Sequence, residues 1–472
     1  MLKTLAVANY RSINKLVIPL GQLNLITGPN GSGKSNLYRA LRLLAETAQG
    51  GVVNALAREG GLDSTFWAGP ETISRRMRNG EVPIEATVRQ GVKRLRLGFA
   101  GEDFGYSISL GLPDSNGHFL LPGHSSPIPS RFSLDPQIKR ECLWAGAFYR
   151  PASLLVDRDG PMIRARANRS WDVLAQHTPT FDSLFDQVGS LRGSPEVLEM
   201  REFIRRWRFY DHFRSDANAP ARQPQLGTRT PVLHHDGRDL AAALQTIIEI
   251  GDPEALQAAI SDAFPGARLH IEPLPGGRFA IEFFQEGLLR PLSAAELSDG
   301  TLRYLLLVAA LLTPRPPTLM VLNEPETSLH PDLLPALARL IIRASEQCQV
   351  WVVSHARRLI SALQQDPQCN CIVLEKNLGQ TGIVGQHMLD EPAWYWQVIC
   401  RDDGRRLFSL APQEGSFFRN TAPGTYHFWP DSRPTPHKDE NMADVKTPQR
   451  LDPQDILKLL MALRRALKAG PA

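Results

Sequence analysis

Residues 28–35, GPNGSGKS, constrain this chain more than any other stretch. They follow an apolar run at 23–27 that predicts a strand, and they open a helical pattern in which Leu37, Leu41 and Leu44 share one face. This is the Walker A arrangement. Gly28, Gly31 and Gly33 let successive backbone N–H groups turn inward around phosphate oxygens, in conformations that a Cβ would obstruct. Lys34 would reach the β and γ phosphates as a point charge, Ser35 would offer its hydroxyl to Mg²⁺, and the following helix would aim its positive end at the anion. The candidate nucleotide-binding segment is therefore Gly28, Pro29, Asn30, Gly31, Ser32, Gly33, Lys34, Ser35 and Asn36.

A chain of 472 residues has room for two or three domains at about 150 residues each. Its formal charge of +4, from 53 basic and 49 acidic residues, neither requires nor excludes a nucleic-acid partner, so a local patch would have to carry that case. The five cysteines, at 142, 348, 369, 371 and 400, lack the paired spacing of a metal site, which predicts reduced thiols in a cytoplasmic protein. Residues 1–13 lack a charged stretch followed by an apolar one. No run approaches the roughly 18 uninterrupted apolar residues of a membrane span, so neither export nor membrane spanning is expected.

Residues 2–8 and 16–20 predict short strands around a polar turn at 9–15. Residues 50–140 mix short strand-like runs, such as 82–88 and 94–99, with turns at 113–117 and 124–130, which predicts a meandering antiparallel sheet with long loops. From 151 to 264 the patterns read as helical, with helices at 195–210, 238–250 and 252–264. Strand periodicity returns at 268–272 and 278–285, and a long apolar helix follows at 301–312. The apolar runs at 318–322 and 349–353 look like parallel strands covered on both faces. Residues 402–450 carry no periodicity and read as loop or disorder, whereas 452–469 read as a basic amphipathic helix that docks back on the protein.

Just past 318–322 stand Asn323 and Glu324. A carboxylate here in a phosphate-loop ATPase is placed to orient and deprotonate the water that attacks the γ-phosphate, which makes Glu324 the candidate base. The residue before it is normally Asp and helps hold Mg²⁺. An Asn keeps the acceptor oxygen but brings no charge, so the metal should be held less tightly. Two readings stay open: a harmless exchange in the metal's outer shell, or a slow or regulated ATPase.

The turn at 296–300, ELSDG, resembles the LSGGQ-type signature of ABC ATPases. With the Walker A loop, NEPETSLHP at 323–331 and VVSH at 352–355 in the same order, the chain resembles the RecF/SMC-like branch of those ATPases. It resembles closely the AAA family ATPases of the AAA-21 type, over roughly residues 1–390. The resemblance implies an α/β fold: a P-loop NTPase of the ABC/RecF-like head type, with a mixed sheet flanked by helices, an antiparallel subsheet and a helical lobe bearing the signature. It also implies ATP and Mg²⁺ as cofactors and a homodimer that closes head to tail around ATP. Ser298 and Gly300 would contact the γ-phosphate held by the facing copy, and Ser328, Leu329 and His330 would form the D-loop. His355 would be the switch histidine that bonds the γ-phosphate. Arg11 corresponds to a basic residue that can approach the nucleotide in relatives. Residues 148–153 are the stand-in for the Q-loop, although they contain no Gln.

The departures from the family also inform. Without heptads there is no long coiled-coil arm, and Asp402, Asp403 and the HKDEN patch at 437–441 lack the strand pattern of a built-in nuclease. Arg201, Arg205 and Arg208 fall at i, i+4 and i+7 of the predicted 195–210 helix, with Arg164, Arg166 and Arg169 nearby in sequence. They suit either a phosphate backbone or a solvated face paired with Glu199, Glu202 and Asp211. The expected layout is an N-terminal half of the head at 1–150, a helical insertion at 151–266, a C-terminal half at 267–395 and an extension at 396–472. The expected function is an ATPase acting on DNA in repair or recombination. The alternative is a nucleotide-sensing subunit that partners a separately encoded effector, such as a nuclease in anti-phage defence.

Overall fold

The computed structural model describes residues 1–396 apart from 71–72, 84–91, 114–117, 120–127, 130–131, 133, 169, 188–193 and 387–389. Expectations placed on most of 82–88, 113–117 and 124–130, on Arg169, and on the C-terminal extension with its basic helix lie outside the described residues.

The chain begins with strands β1 (Leu2–Tyr10), β2 (Ile13–Pro19) and β3 (Leu23–Thr27), followed by helices α1 (Lys34–Thr47) and α2 (Val52–Arg58). Next come β4 (Leu95–Gly101), β5 (Phe104–Gly111), β6 (Gln137–Ala145), β7 (Leu154–Asp159), β8 (Met162–Ala167) and β9 (Ser170–Ala175). After α3 (Pro195–Arg205), β10 (Arg208–Tyr210), α4 (Leu240–Ile250) and α5 (Pro253–Ala263), a hairpin forms from β11 (Arg268–Leu274) and β12 (Arg278–Phe284). The remainder is α6 (Asp299–Leu311), β13 (Leu319–Asn323), α7 (Leu334–Ser345), β14 (Gln349–Val353), α8 (Arg357–Leu363), β15 (Cys369–Asn377) and β16 (Gln380–Ile383).

Two sheets carry the architecture. An antiparallel sheet of eight strands runs in the order β9-β8-β7-β6-β5-β4-β1-β2, and a six-stranded sheet runs β10-β13-β14-β3-β15-β16, parallel except for its last strand. Every residue of β3 and of β14 is buried, which explains why these strands read as unbroken apolar runs rather than as alternation. Their side chains still alternate between two layers. Ile26, Val321, Trp351 and Val353 join the core shared with α1, α3 and the antiparallel sheet. Leu25, Met320, Leu322, Val350 and Val352 join the core made with α4, α6, α7 and α8. On α1, Leu37, Leu41 and Leu44 face the first layer as their spacing predicts, each burial worth roughly 1.5–3 kcal/mol.

The stretch 151–175 is not helical, as its sequence suggested, but supplies three strands of the antiparallel sheet. Its period-2 pattern is masked by charges that the sheet itself satisfies. Asp157 takes Arg140 at 3.0 Å and Arg164 at 2.7 Å, and the fully buried Arg158 pairs with the fully buried Glu141 at 2.8 Å. Because β6 pairs with β7, the strands run on past residue 150 within one sheet. The turn between β1 and β2 is also tighter than expected. Tyr10 faces Ile13, so only Arg11 and Ser12 make the bend, with Arg11 at φ 50°.

The helix expected at 195–210 stops at Arg205, because Trp207 is drawn into the core and residues 208–210 become an edge strand of the parallel sheet. The three arginines therefore do not share a helix face. Arg205 pairs with Glu202 at 3.2 Å, and Arg208 donates to the carbonyls of Arg205 and Trp207, both at 2.9 Å. Otherwise the result is the mixed α/β head, antiparallel subsheet and helical lobe that the resemblance implies. Among the described residues no helix is long and apolar enough to cross a membrane.

Candidate nucleotide site

The loop 28–33 leaves the carboxyl end of β3 and enters α1 at Lys34. Two of its glycines are dictated by close neighbours. Gly28 has φ 145°, and a Cβ there would lie 2.3 Å from the Leu374 carbonyl oxygen; Gly33 has φ 108°, and its Cβ would lie 2.1 Å from Thr381 Oγ1. The Lys34 side chain is buried and folds back over the loop, its Nζ donating to the carbonyls of Gly28 at 2.7 Å and Pro29 at 3.1 Å. Pro29, Asn30, Gly31 and Ser35 are exposed and Asn36 is half-buried. Ser32 Oγ is buried without a hydrogen-bond partner among the described residues, a donor that fits an anion in the loop.

Sequence reasoning missed what braces this loop. Thr381 Oγ1, on β16, donates to the Ser32 carbonyl at 2.9 Å and lies 2.7 Å from Ser12 Oγ, which in turn accepts from Asn36 Nδ2 at 2.7 Å. No local signal marks a lone hydroxyl in a short strand for this role.

The order β13-β14-β3 sets three strand ends side by side: Asn323 ends the first and Glu324 follows it, Ser354 and His355 follow the second, and the phosphate loop follows the third. Ligands of open α/β sheets bind outside such carboxyl ends. Glu324 adopts φ 48°, unusual for a residue with a side chain, and its N–H is fixed to the Val353 carbonyl at 2.8 Å. His355 Nδ1 stands 3.8 Å from Glu324 Oε1 and 3.5 Å from Glu326 Oε1. The structure thus brings together the two residues expected to be catalytic.

Glu326 is a further residue that the sequence reading did not single out, although a second acid in NEPE was a visible signal. It is buried, and its Oε2 has no hydrogen-bond partner among the described residues. Beneath the same turn, Arg303 of α6 is buried and reaches His212 Nδ1 at 3.2 Å, its own affinity for the proton lowered by burial and partly restored by the Glu326 charge.

A cleft of about 720 Å³ opens beside the loop, lined by Ser35, Asn323, Asp211, Arg11, Arg39 and Arg42 among others. The Ser35 hydroxyl and the Asn323 amide share this cleft, and an oxygen donor set of this kind fits a hard cation such as Mg²⁺. Arg11, which the resemblance assigns to the nucleotide's surroundings, is among the residues that line the cleft. Its guanidinium is held by Glu59 at 2.7 Å, and the Tyr10 hydroxyl donates to the same Glu59 oxygen at 2.7 Å. The stand-in for the Q-loop, 148–153, lies instead in the turn between β6 and β7, with Tyr149 packed edge-on against Trp144.

The signature turn has its own support. Ser298 caps α6 by accepting the Thr301 N–H at 3.1 Å, so a 13-residue helix presents an exposed N-terminus there. The buried Arg222 donates to the carbonyls of Ala294 at 3.0 Å and Leu297 at 2.7 Å and to the Asp299 carboxylate at 2.6 Å, which fixes the turn from below. Gly300 abuts the candidate D-loop segment, since a Cβ on it would lie 3.0 Å from the Ser328 carbonyl, and Ser328 itself has φ 66°. His330 accepts the N–H of Asp332 at 3.3 Å, and Leu329 packs against the second core. Ser298 and Gly300 do not line the cleft that holds Ser35 and Asn323.

The family model described as AAA domain, putative AbiEii toxin, Type IV TA system matches residues 23–361. An OLD nuclease of Thermus scotoductus is 48% identical over 44 residues, which is 9% of this chain and only 8% of that protein's length. Among solved structures, the Smc head bound to the C-winged helix domain of ScpA aligns over 81% of this chain and 97% of its own, with 15% identity and a TM-score of 0.42. The SMC head domain from Thermotoga maritima aligns over 81% and 98%, with 16% identity and a TM-score of 0.40.

Proposed function

From the premise that this chain belongs to the family described as AAA domain, putative AbiEii toxin, Type IV TA system, we propose that it binds ATP and hydrolyses it to ADP and phosphate. The observation that carries this reading is the meeting of Glu324 and His355 at 3.8 Å on neighbouring strand ends, the second of which adjoins the strand that delivers the phosphate loop. Lys34 and the loop N–H groups hold the β and γ phosphates. Glu324 accepts the proton of the attacking water, and His355 bonds the γ-phosphate from the neighbouring strand end. Ser35 and Asn323 would hold Mg²⁺, which would supply charge to offset that on the phosphate oxygens.

Completion of the site needs a second copy. Ser298 is exposed and Gly300 half-buried at the positive end of α6, and neither lines the chain's own cleft, which supports a head-to-tail homodimer in which each signature closes the other copy's triphosphate. The test is phosphate release by the wild type, Lys34→Ala and Glu324→Gln: the first variant should lose nucleotide binding, and the second should keep binding and lose turnover. Wild-type turnover in both variants would refute the assignment.

The client of the cycle is DNA, in repair or recombination, by the resemblance to RecF/SMC-like ATPases. Turnover with and without double-stranded, single-stranded and nicked DNA tests that step. The second reading, a nucleotide-sensing subunit that partners a separate nuclease, is favoured by the 44-residue likeness to an OLD nuclease. A turnover rate indifferent to every DNA form would favour it.

A further inference from the structure

Residue 323 lacks the negative charge that a magnesium ion would meet at this strand end, and the neighbouring strand supplies one. β10 runs parallel to β13 with Tyr210 opposite Leu322, so the next residue, Asp211, is level with Asn323. Adjacent strands lie about 4.8 Å apart. Asp211, Asn323 and Ser35 line the same cleft. One carboxylate oxygen of Asp211, Oδ2, is taken by Arg42 of α1, and the Tyr38 hydroxyl also faces this carboxylate. The other oxygen, Oδ1, is buried without a hydrogen-bond partner among the described residues. A buried carboxylate oxygen left unmatched is costly unless a cation or donor comes to it.

We propose that Asp211 supplies the carboxylate of the magnesium site, while Asn323 supplies the amide. The assignment rests on the reading of Ser35 and Asn323 as the metal side of the nucleotide site. Mg²⁺ is typically held through one or two carboxylates together with substrate phosphates and water, and a site of Ser35 and Asn323 alone would offer none. Arg42 fixes the orientation of the Asp211 carboxylate by its outer oxygen and leaves the inner one free for the ion or for a water bound to it. On this account the loss of charge at 323 does not by itself make the site weak.

The experiment measures, on the full chain, how much Mg²⁺ is needed for half-maximal binding of a fluorescent, non-hydrolysable ATP analogue, with Mn²⁺ binding followed by electron paramagnetic resonance. Asp211→Asn should raise the Mg²⁺ requirement about tenfold or more, the usual scale for loss of a metal-supporting group. Adding Asn323→Asp to that variant returns the charge on the other strand and should restore the requirement to within about threefold. Arg42→Met keeps the carboxylate and should shift the requirement much less than Asp211→Asn. If Asp211 served only as the partner of Arg42, those two variants would behave alike and Asn323→Asp would rescue neither, which overturns the proposal. Wild-type analogue binding that depends on Mg²⁺ but is unchanged in Asp211→Asn overturns this assignment alone. Wild-type binding that ignores Mg²⁺ overturns it together with the metal reading of Ser35 and Asn323.

Discussion

Glu326 Oε1 accepts the backbone N–H of His355 at 3.0 Å, and the same oxygen takes the Ala356 N–H at 3.1 Å and the Ser354 hydroxyl at 2.7 Å. One buried carboxylate oxygen thus sets the turn that carries His355, the candidate switch histidine, while Glu324, two residues before Glu326 in sequence, is the candidate base. The base and the histidine are positioned by the same short segment.

Replacement of that segment's anchor should uncouple them. Glu326→Ala removes the acceptor of the Ser354 hydroxyl and the His355 N–H, while the Ala356 N–H keeps the Ser354 oxygen at 3.1 Å, a cost of about 1–3 kcal/mol for each orphaned group that stays buried. Turnover should fall more than nucleotide affinity, because the phosphate loop is braced independently. Glu326→Gln keeps an acceptor oxygen of the same reach and should recover most of the lost stability. Parallel denaturant titrations, phosphate-release rates and analogue affinities check this, and wild-type turnover in Glu326→Ala would contradict it.

The phosphate loop should not tolerate a side chain at Gly33. Left-handed backbone costs a non-glycine residue roughly 1–2 kcal/mol, before the collision with Thr381 is counted. Gly33→Ala should therefore weaken ATP binding by about tenfold or more. Thr381→Val, which keeps the volume but loses the bonds to Ser32 and Ser12, should weaken it by about fivefold, the equivalent of about 1 kcal/mol. Isothermal titration with a non-hydrolysable analogue reads both.

The buried pair in the antiparallel sheet is a matter of stability rather than nucleotide chemistry. Arg158 serves Glu141 at 2.8 Å and the carbonyls of Gly160 at 2.9 Å and Pro179 at 2.7 Å, while the Tyr106 and Ser183 hydroxyls donate to Glu141, each at 2.7 Å. Arg158→Met leaves the carboxylate uncompensated and should cost about 3–5 kcal/mol, seen as a lower denaturation midpoint. A loss below about 1 kcal/mol would contradict this account of the pair.

Asp157 gives the same sheet an acid sensitivity. Burial pushes its carboxyl upward, but the charge of Arg140 and the hydrogen bond from Arg164 outweigh burial and hold it below its ordinary value of 3.8. A folded-state value below the unfolded one means that the stabilisation is fully present above the unfolded value and is lost as pH falls through the folded one. Thermal melts of wild type and Asp157→Asn should differ by a constant amount from pH 7 to about pH 5 and converge below about pH 4. Curves that converge on the alkaline side instead would have the sign wrong.

The parts of this fold that can be read from the sequence are those whose chemistry is local. The phosphate loop, NEPE and VVSH each pack their function into fewer than ten consecutive residues, and the buried parallel strands announce themselves by unbroken apolar runs. Thr381 was not legible, because its partner Ser12 is 369 positions away and nothing near either one signals contact. Asp211 was hidden for a related reason: the strand it follows is three residues long, and the arginines before it suggested a continued helix. Strands β7 to β9 are not legible in the sequence because charged residues within them obscure their periodicity, and those charges find partners only once the sheet is assembled.

The central claim is that two copies share each triphosphate, and the direct measurement is the mass of Glu324→Gln by light scattering with and without Mg²⁺ and ATP. The account predicts a monomer without nucleotide, twice that mass with it, and a return to monomer when Ser298→Arg is added. A Glu324→Gln protein that binds ATP yet stays monomeric at saturating nucleotide and high protein concentration would contradict it.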